Sequence, residues 1–74
     1  MVKNASIQEL DVVAVIVDLP AEGLRRGQVG TVVHVYAPDA FEVEFVDSDG
    51  RTYALAALRA SQLLPLRYDP VAAA

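Results

Sequence analysis

Gly23 to Phe45 reads G-L-R-R-G-Q-V-G-T-V-V-H-V-Y-A-P-D-A-F-E-V-E-F. Gly27 and Gly30 stand either side of Gln28-Val29, ahead of a valine-rich run. A glycine inside a strand removes the side chain and permits a bulge or a sharp bend. Ala37-Pro38-Asp39-Ala40 follows as a turn, with Pro38 suited to its first corner. Phe41, Val43 and Phe45 then alternate with Glu42 and Glu44, the period of a strand that is apolar on one face only. This order predicts a small, strongly bent antiparallel barrel.

Working outward, Asp11 to Val17 is short and β-branched, which predicts a strand buried on much of both faces. Pro20 and Gly23 break pairing in the Asp18–Leu24 loop. The second strand is expected over Gln28 to Tyr36 and the third over Phe41 to Asp47. Ser48-Asp49-Gly50 forms the next turn, with Gly50 free to take positive φ. A fourth strand is expected over Arg51 to Ala57, a 3₁₀ turn over Leu58 to Gln62, and a closing strand over Leu63 to Leu66. Ser6-Ile7-Gln8-Glu9 has the form of a capping box and predicts one helical turn before the first strand. The fold class is therefore all-β: a five-stranded SH3-like barrel with one 3₁₀ turn before the last strand. Residues 1–10 form a lead-in, 11–67 the barrel and 68–74 a flexible tail.

The chain has 74 residues and no cysteine, so a single small core must suffice without disulfides or thiolate ligands. Met1 to Ala5 lack the apolar stretch of a secretory leader. The longest apolar run, Val12 to Val17, is far too short to span a membrane. A cytoplasmic protein with no membrane association is expected. Ten acidic against six basic residues give a net charge of −4, which disfavours sequence-independent nucleic-acid binding. The apolar share of 54% is high for so small a domain and points to an apolar surface patch.

The residues hold no visible catalytic constellation. His34 is the only histidine and has neither a second histidine nor a cysteine to share a metal; it reads as a structural or surface residue. Gly27-Gln28-Val29-Gly30 lacks the Lys-Ser/Thr of a phosphate loop. Ser48 and Ser61 fit turn and capping roles. Glu42 and Glu44 share a strand face with Cβ atoms about 7 Å apart, and a cation site there would need more oxygen ligands. Tyr53 is expected in the core with its hydroxyl at the rim, and the arginines, Arg51, Arg59 and Arg67 included, are expected beside Asp or Glu. An alternative gathers the arginines into a basic spot beside Tyr36, Tyr53 and Tyr68.

Several segments resemble an uncharacterised family of short bacterial proteins catalogued as a domain of unknown function. They are E-L-D-V-V-A at Glu9–Ala14, D-L-P-A-E-G-L at Asp18–Leu24 and R-G-Q-V-G-T-V-V at Arg26–Val33. F-E-V-E-F-V-D at Phe41–Asp47, D-G-R-T-Y-A-L at Asp49–Leu55 and Q-L-L-P-L at Gln62–Leu66 complete the set. The resemblance runs from about Ile7 to Leu66. It implies an SH3-like barrel and no activity, cofactor or site residue. The Arg26–Val33 segment alone also resembles the KOW motif of ribosomal and transcription-associated proteins.

The functional expectation is a non-enzymatic protein-interaction module without a cofactor, an accessory or inhibitor-like subunit that binds a protein partner or itself. Arg25, Arg26, Glu42, Glu44, Leu64 and Leu66 are the candidate contact residues. The alternative is a KOW-like RNA- or ribosome-associated module working through Arg25 and Arg26.

Overall fold

The computed structural model describes residues 7–66. The lead-in up to Ser6, and Arg67, Tyr68 and the remaining tail, lie outside them. The protein is an all-β, five-stranded antiparallel sheet of β1 (Val12–Val15), β2 (Val29–Ala37), β3 (Ala40–Val46), β4 (Thr52–Arg59) and β5 (Leu63–Pro65). The strand order is β4-β3-β2-β1-β5. β4 and β5 are edges that do not pair with each other, so the sheet is curled but not closed. The 3₁₀ turn expected before the last strand spans Ala60–Gln62, and a second one spans Pro20–Glu22.

The curl has a local cause. Gly30 pairs with Val13 on β1 and points into the core. A Cβ placed there would lie 2.7 Å from Val43 Cγ1, 2.8 Å from the Glu44 carbonyl oxygen and 2.9 Å from Phe45 Cδ2. Only glycine lets β3 come this close to β2. The bulges themselves come later. Register shifts leave Val33 and Tyr36 as extra residues on β2 against β3, so Gly30 supplies close approach rather than a bulge. Ala60–Gln62 measures the result. Ala60 N–H donates to the Asp39 carbonyl (3.0 Å) and Ile16 N–H donates to that of Gln62 (3.0 Å). A three-residue turn spans at most about 10 Å. The tip of the β2–β3 hairpin is therefore brought round to the end of β1.

The curl encloses one core. Val13, Val15, Val32, Phe41, Val43 and Phe45 are fully or almost fully buried, and Leu24 and Leu63 cap them. The expected β3 alternation holds: Phe41, Val43 and Phe45 are buried while Glu42 and Glu44 lie half-buried on the outer face. Removing either phenyl ring would cost about 3–5 kcal/mol. β1 is shorter than expected. Beyond Val15 the chain leaves β2, and Ile16 and Val17 are exposed. β4 runs on to Arg59, two residues past its expected end, because Leu58 and Arg59 pair with Phe41 and Ala40. The helical turn expected near Gln8 is replaced by a tight turn closed by Asp11 N–H on the Gln8 carbonyl (3.0 Å), with Leu10 at φ 76°.

Both hairpins obey their sequences. Pro38-Asp39 is a two-residue connection flanked by the Ala37–Ala40 pair. In the other, Asp47 Oδ1 accepts from Asp49 N–H (2.9 Å) and Arg51 N–H (3.0 Å), and Gly50 takes φ 83°.

Gly30→Ala should lower the unfolding free energy by about 2–3 kcal/mol in urea titration, because one of the clashing atoms is backbone. Gly50→Ala, whose Cβ meets nothing within 4 Å, should cost only the left-handed backbone penalty of about 1 kcal/mol. Equal losses at the two sites would refute the close-approach account.

Candidate functional site

Register assembles the outer face row by row. Val12, Thr31, Glu44 and Leu55 are successive cross-strand partners on β1, β2, β3 and β4. His34, Glu42 and Ala57 form the neighbouring row. Leu64, Ala14 and Val29 form a third at the β5 side. Leu55 is 58% exposed, Leu64 52% and Val29 44%. Leu66 continues the β5 segment with its N–H on the Val12 carbonyl (2.9 Å) and is half-buried. Four of the six candidate residues, Glu42, Glu44, Leu64 and Leu66, thus fall on one curved sheet face.

The two carboxylates are oriented by hydroxyls. Tyr36 O–H donates to Glu42 Oε1 at 2.7 Å, and Thr52 Oγ1–H donates to Glu44 Oε2. Neither row places a lysine or arginine beside them: Glu44 lies between Thr31 and Leu55, Glu42 between His34 and Ala57. Arg59, opposite Ala40, is the nearest basic position on β4 of that face. The bond to Glu42 also raises the Tyr36 pKa above its usual value, first because the neutral phenol is the donor, then through slight desolvation and repulsion of the phenolate by the carboxylate. His34 packs edge-on against Tyr36, with ring centroids 4.7 Å apart, and is exposed, in keeping with a surface residue.

Arg25 and Arg26 lie elsewhere, in the loop between β1 and β2. That loop is folded tightly. Leu19 and Leu24 bond each other through both backbone groups (2.9 and 3.0 Å), and Gly23 closes the Pro20–Glu22 turn at φ 73°. Arg26 N–H donates to Asp18 Oδ1 (3.0 Å) and Arg25 N–H to Gln28 Oε1. Asp18, Pro20, Gly23, Leu24, Arg25 and Arg26 line an open hollow of about 610 Å³. None of these lining residues belongs to the strand rows that carry Glu42 and Glu44.

Tyr53 departs from expectation. It is the extra residue of a β4 bulge, 45% exposed rather than in the core. Its ring leans on Phe45, centroids 6.2 Å apart, and its hydroxyl oxygen accepts from Gln28 Nε2 (3.1 Å), which ties the loop to β4. The sequence holds no sign of this bond, which joins residues 25 positions apart.

Among the described residues no group of three or more His, Asp or Glu is placed to hold a metal ion. No helix among them is long and apolar enough to cross a membrane. A family model for a domain of unknown function, DUF4926, matches residues 9–65. The chain belongs to the DUF4926 family. Neither the curated proteins nor the solved structures yield a match. The matched span begins in the turn before β1 and ends with β5, so the DUF4926 unit is the whole curled sheet.

Glu42→Gln should move the ionisation of Tyr36 to lower pH, because the repelling charge and the stronger acceptor are both removed. An NMR-detected titration of the tyrosine ring signals checks this. An unmoved Tyr36 curve would disprove the hydrogen bond.

Proposed function

We propose that this DUF4926 protein is a non-enzymatic, cytoplasmic protein-interaction module that docks a basic, partly apolar surface of another protein on its outer sheet face. The observation that carries this reading is the pair of carboxylates, Glu42 and Glu44, beside exposed Leu55, with no lysine or arginine directly opposite either. Rings of apolar contact around a few charged anchors suit a partner of opposite sign, which gains both contact area and steering. The net charge of −4 acts in the same sense at longer range. Pre-set carboxylates lose little freedom on binding, since Tyr36 and Thr52 already hold them.

The strand order, with a 3₁₀ turn between β4 and β5, supports assignment of the curled sheet to the SH3-like barrels. The absence of cysteine accords with a reducing compartment. The KOW-like alternative would work through Arg25 and Arg26. Its loop also carries Asp18 and Glu22, and Asp18 accepts from the Arg26 N–H, which weakens any phosphate contact there.

The test is affinity capture of the tagged protein from its host's lysate, with and without nuclease, followed by mass spectrometry. A protein retained after nuclease treatment and lost, by about tenfold or more, with Glu42→Lys/Glu44→Lys is the expected outcome. Arg25→Ala/Arg26→Ala should retain it. Material that nuclease removes, and that the arginine variant loses while the glutamate variant keeps it, would replace this reading with the RNA-associated one.

A further inference from the structure

The two edges of the sheet differ in kind. β5 has three residues and ends in Pro65. Gln62 and Leu66 turn their backbone groups toward β1, through the bonds to Ile16 and Val12. By strand alternation Pro65 faces the other way, so the missing N–H is the one that would have pointed outward. Shortness and proline are two of the devices that keep edges from pairing.

β4 has neither. Thr52 to Leu58 reads T-Y-A-L-A-A-L, without charge or proline. Its phase is set by the Ala40–Arg59 pair and the Ala60 N–H bond to the Asp39 carbonyl. Ala54, Ala56 and Leu58 thereby turn their backbone groups toward β3, and Leu55 and Ala57 turn theirs outward. Among the described residues no backbone bond beyond the β3 ladder takes up the groups of Leu55 or Ala57. Arg59 N–H, the next outward donor, is already bonded to Gln62 Oε1 (2.8 Å). Both Leu55 and Ala57 are exposed. An eight-residue edge with this open, uncharged centre is a template for another strand.

We propose that β4 is a self-pairing site, at which two copies of this chain join antiparallel about a two-fold axis through Ala56. Leu55 of one copy then faces Ala57 of the other, and each such pair exchanges both N–H···O bonds. Arg59 comes opposite Tyr53 of the second copy at the end of the seam, where the β4 bulge stops the ladder before the Arg59 N–H is needed. Glu42 and Glu44 stay one strand back from the seam, so no like charges meet across it. The neighbouring registers are worse. An axis at Leu55 sets Arg51 against Arg59, and an axis at Ala57 needs the Arg59 N–H that Gln62 already holds. Because Pro65 closes the other edge, pairing of β4 with β5 of a second copy cannot propagate, and the assembly stops at two. One strand seam falls at the small end of interface sizes, below about 1,200 Å², the class of weak and transient contacts. The seam shares Leu55 with the outer face but leaves Glu42 and Glu44 uncovered, and the proposal does not depend on a heterologous partner.

Sedimentation equilibrium of the full chain, from about 1 µM to 1 mM, provides the test. The expected result is a monomer–dimer equilibrium. Ala57→Pro removes an outward N–H and no bond to β3; Leu55→Lys places a charge on the seam. Each should weaken dimerisation by about tenfold or more, while Leu64→Lys on β5 should leave it unchanged. Thermal unfolding verifies that the variants fold, and Leu55→Lys serves if Ala57→Pro does not. A chain that stays monomeric throughout, forms species larger than a dimer, or dimerises equally well with Leu55→Lys would overturn the proposal.

Discussion

The contact between Gly30 and the β3 backbone governs the shape of this protein. Where β2 crosses the core, the absent side chain lets the Glu44 carbonyl and the side chains of Val43 and Phe45 occupy space that any other residue would claim. β3 therefore lies hard against β2, and the sheet bends there instead of running flat. The bulges at Val33 and Tyr36 continue the bend along β2. Once the Asp39 turn has been carried round, three residues reach from it to the end of β1, and Leu63 can enter the core from the far edge. A flat version of the same sheet would leave Phe41 and Phe45 covered on one side only.

The same bend creates two unlike surfaces. The concave side is apolar and consumed by the core. The convex side keeps Glu42 and Glu44, each held by a hydroxyl from a neighbouring strand, among exposed Leu55, Val29 and Leu64. Buried apolar area is scarce in a domain of this size, so these exposed groups are a real loss of potential core. Their retention on one face is what makes that face a candidate for recognition. The loop carrying Arg25 and Arg26 is a separate device, closed on itself through Leu19 and Leu24 and anchored to β4 by the Gln28–Tyr53 bond.

Much of this was legible in the residues. The Phe41–Phe45 alternation separates core from carboxylates because side chains on a strand have a period of two, a purely local property. Pro38-Asp39 and Asp47 to Gly50 declare their turns through fixed φ and a side-chain acceptor, again locally. The five strands and their order in the chain follow from these signals. Strand ends were less legible: β1 stops at Val15, although Ile16 and Val17 continue the apolar run, because the chain must leave to form the loop.

The amino-acid sequence by itself determined that the chain is all-β, where its two hairpin turns fall, and that Glu42 and Glu44 share a face. Tertiary structure alone decided who stands beside whom. The Tyr36 bond to Glu42, the Thr52 bond to Glu44, the exposure of Tyr53 at a bulge and the open edge of β4 all depend on register across strands. Register is set by packing between segments distant in sequence. A single extra residue at a bulge changes which groups meet, without altering the composition or period that a strand displays along its own length.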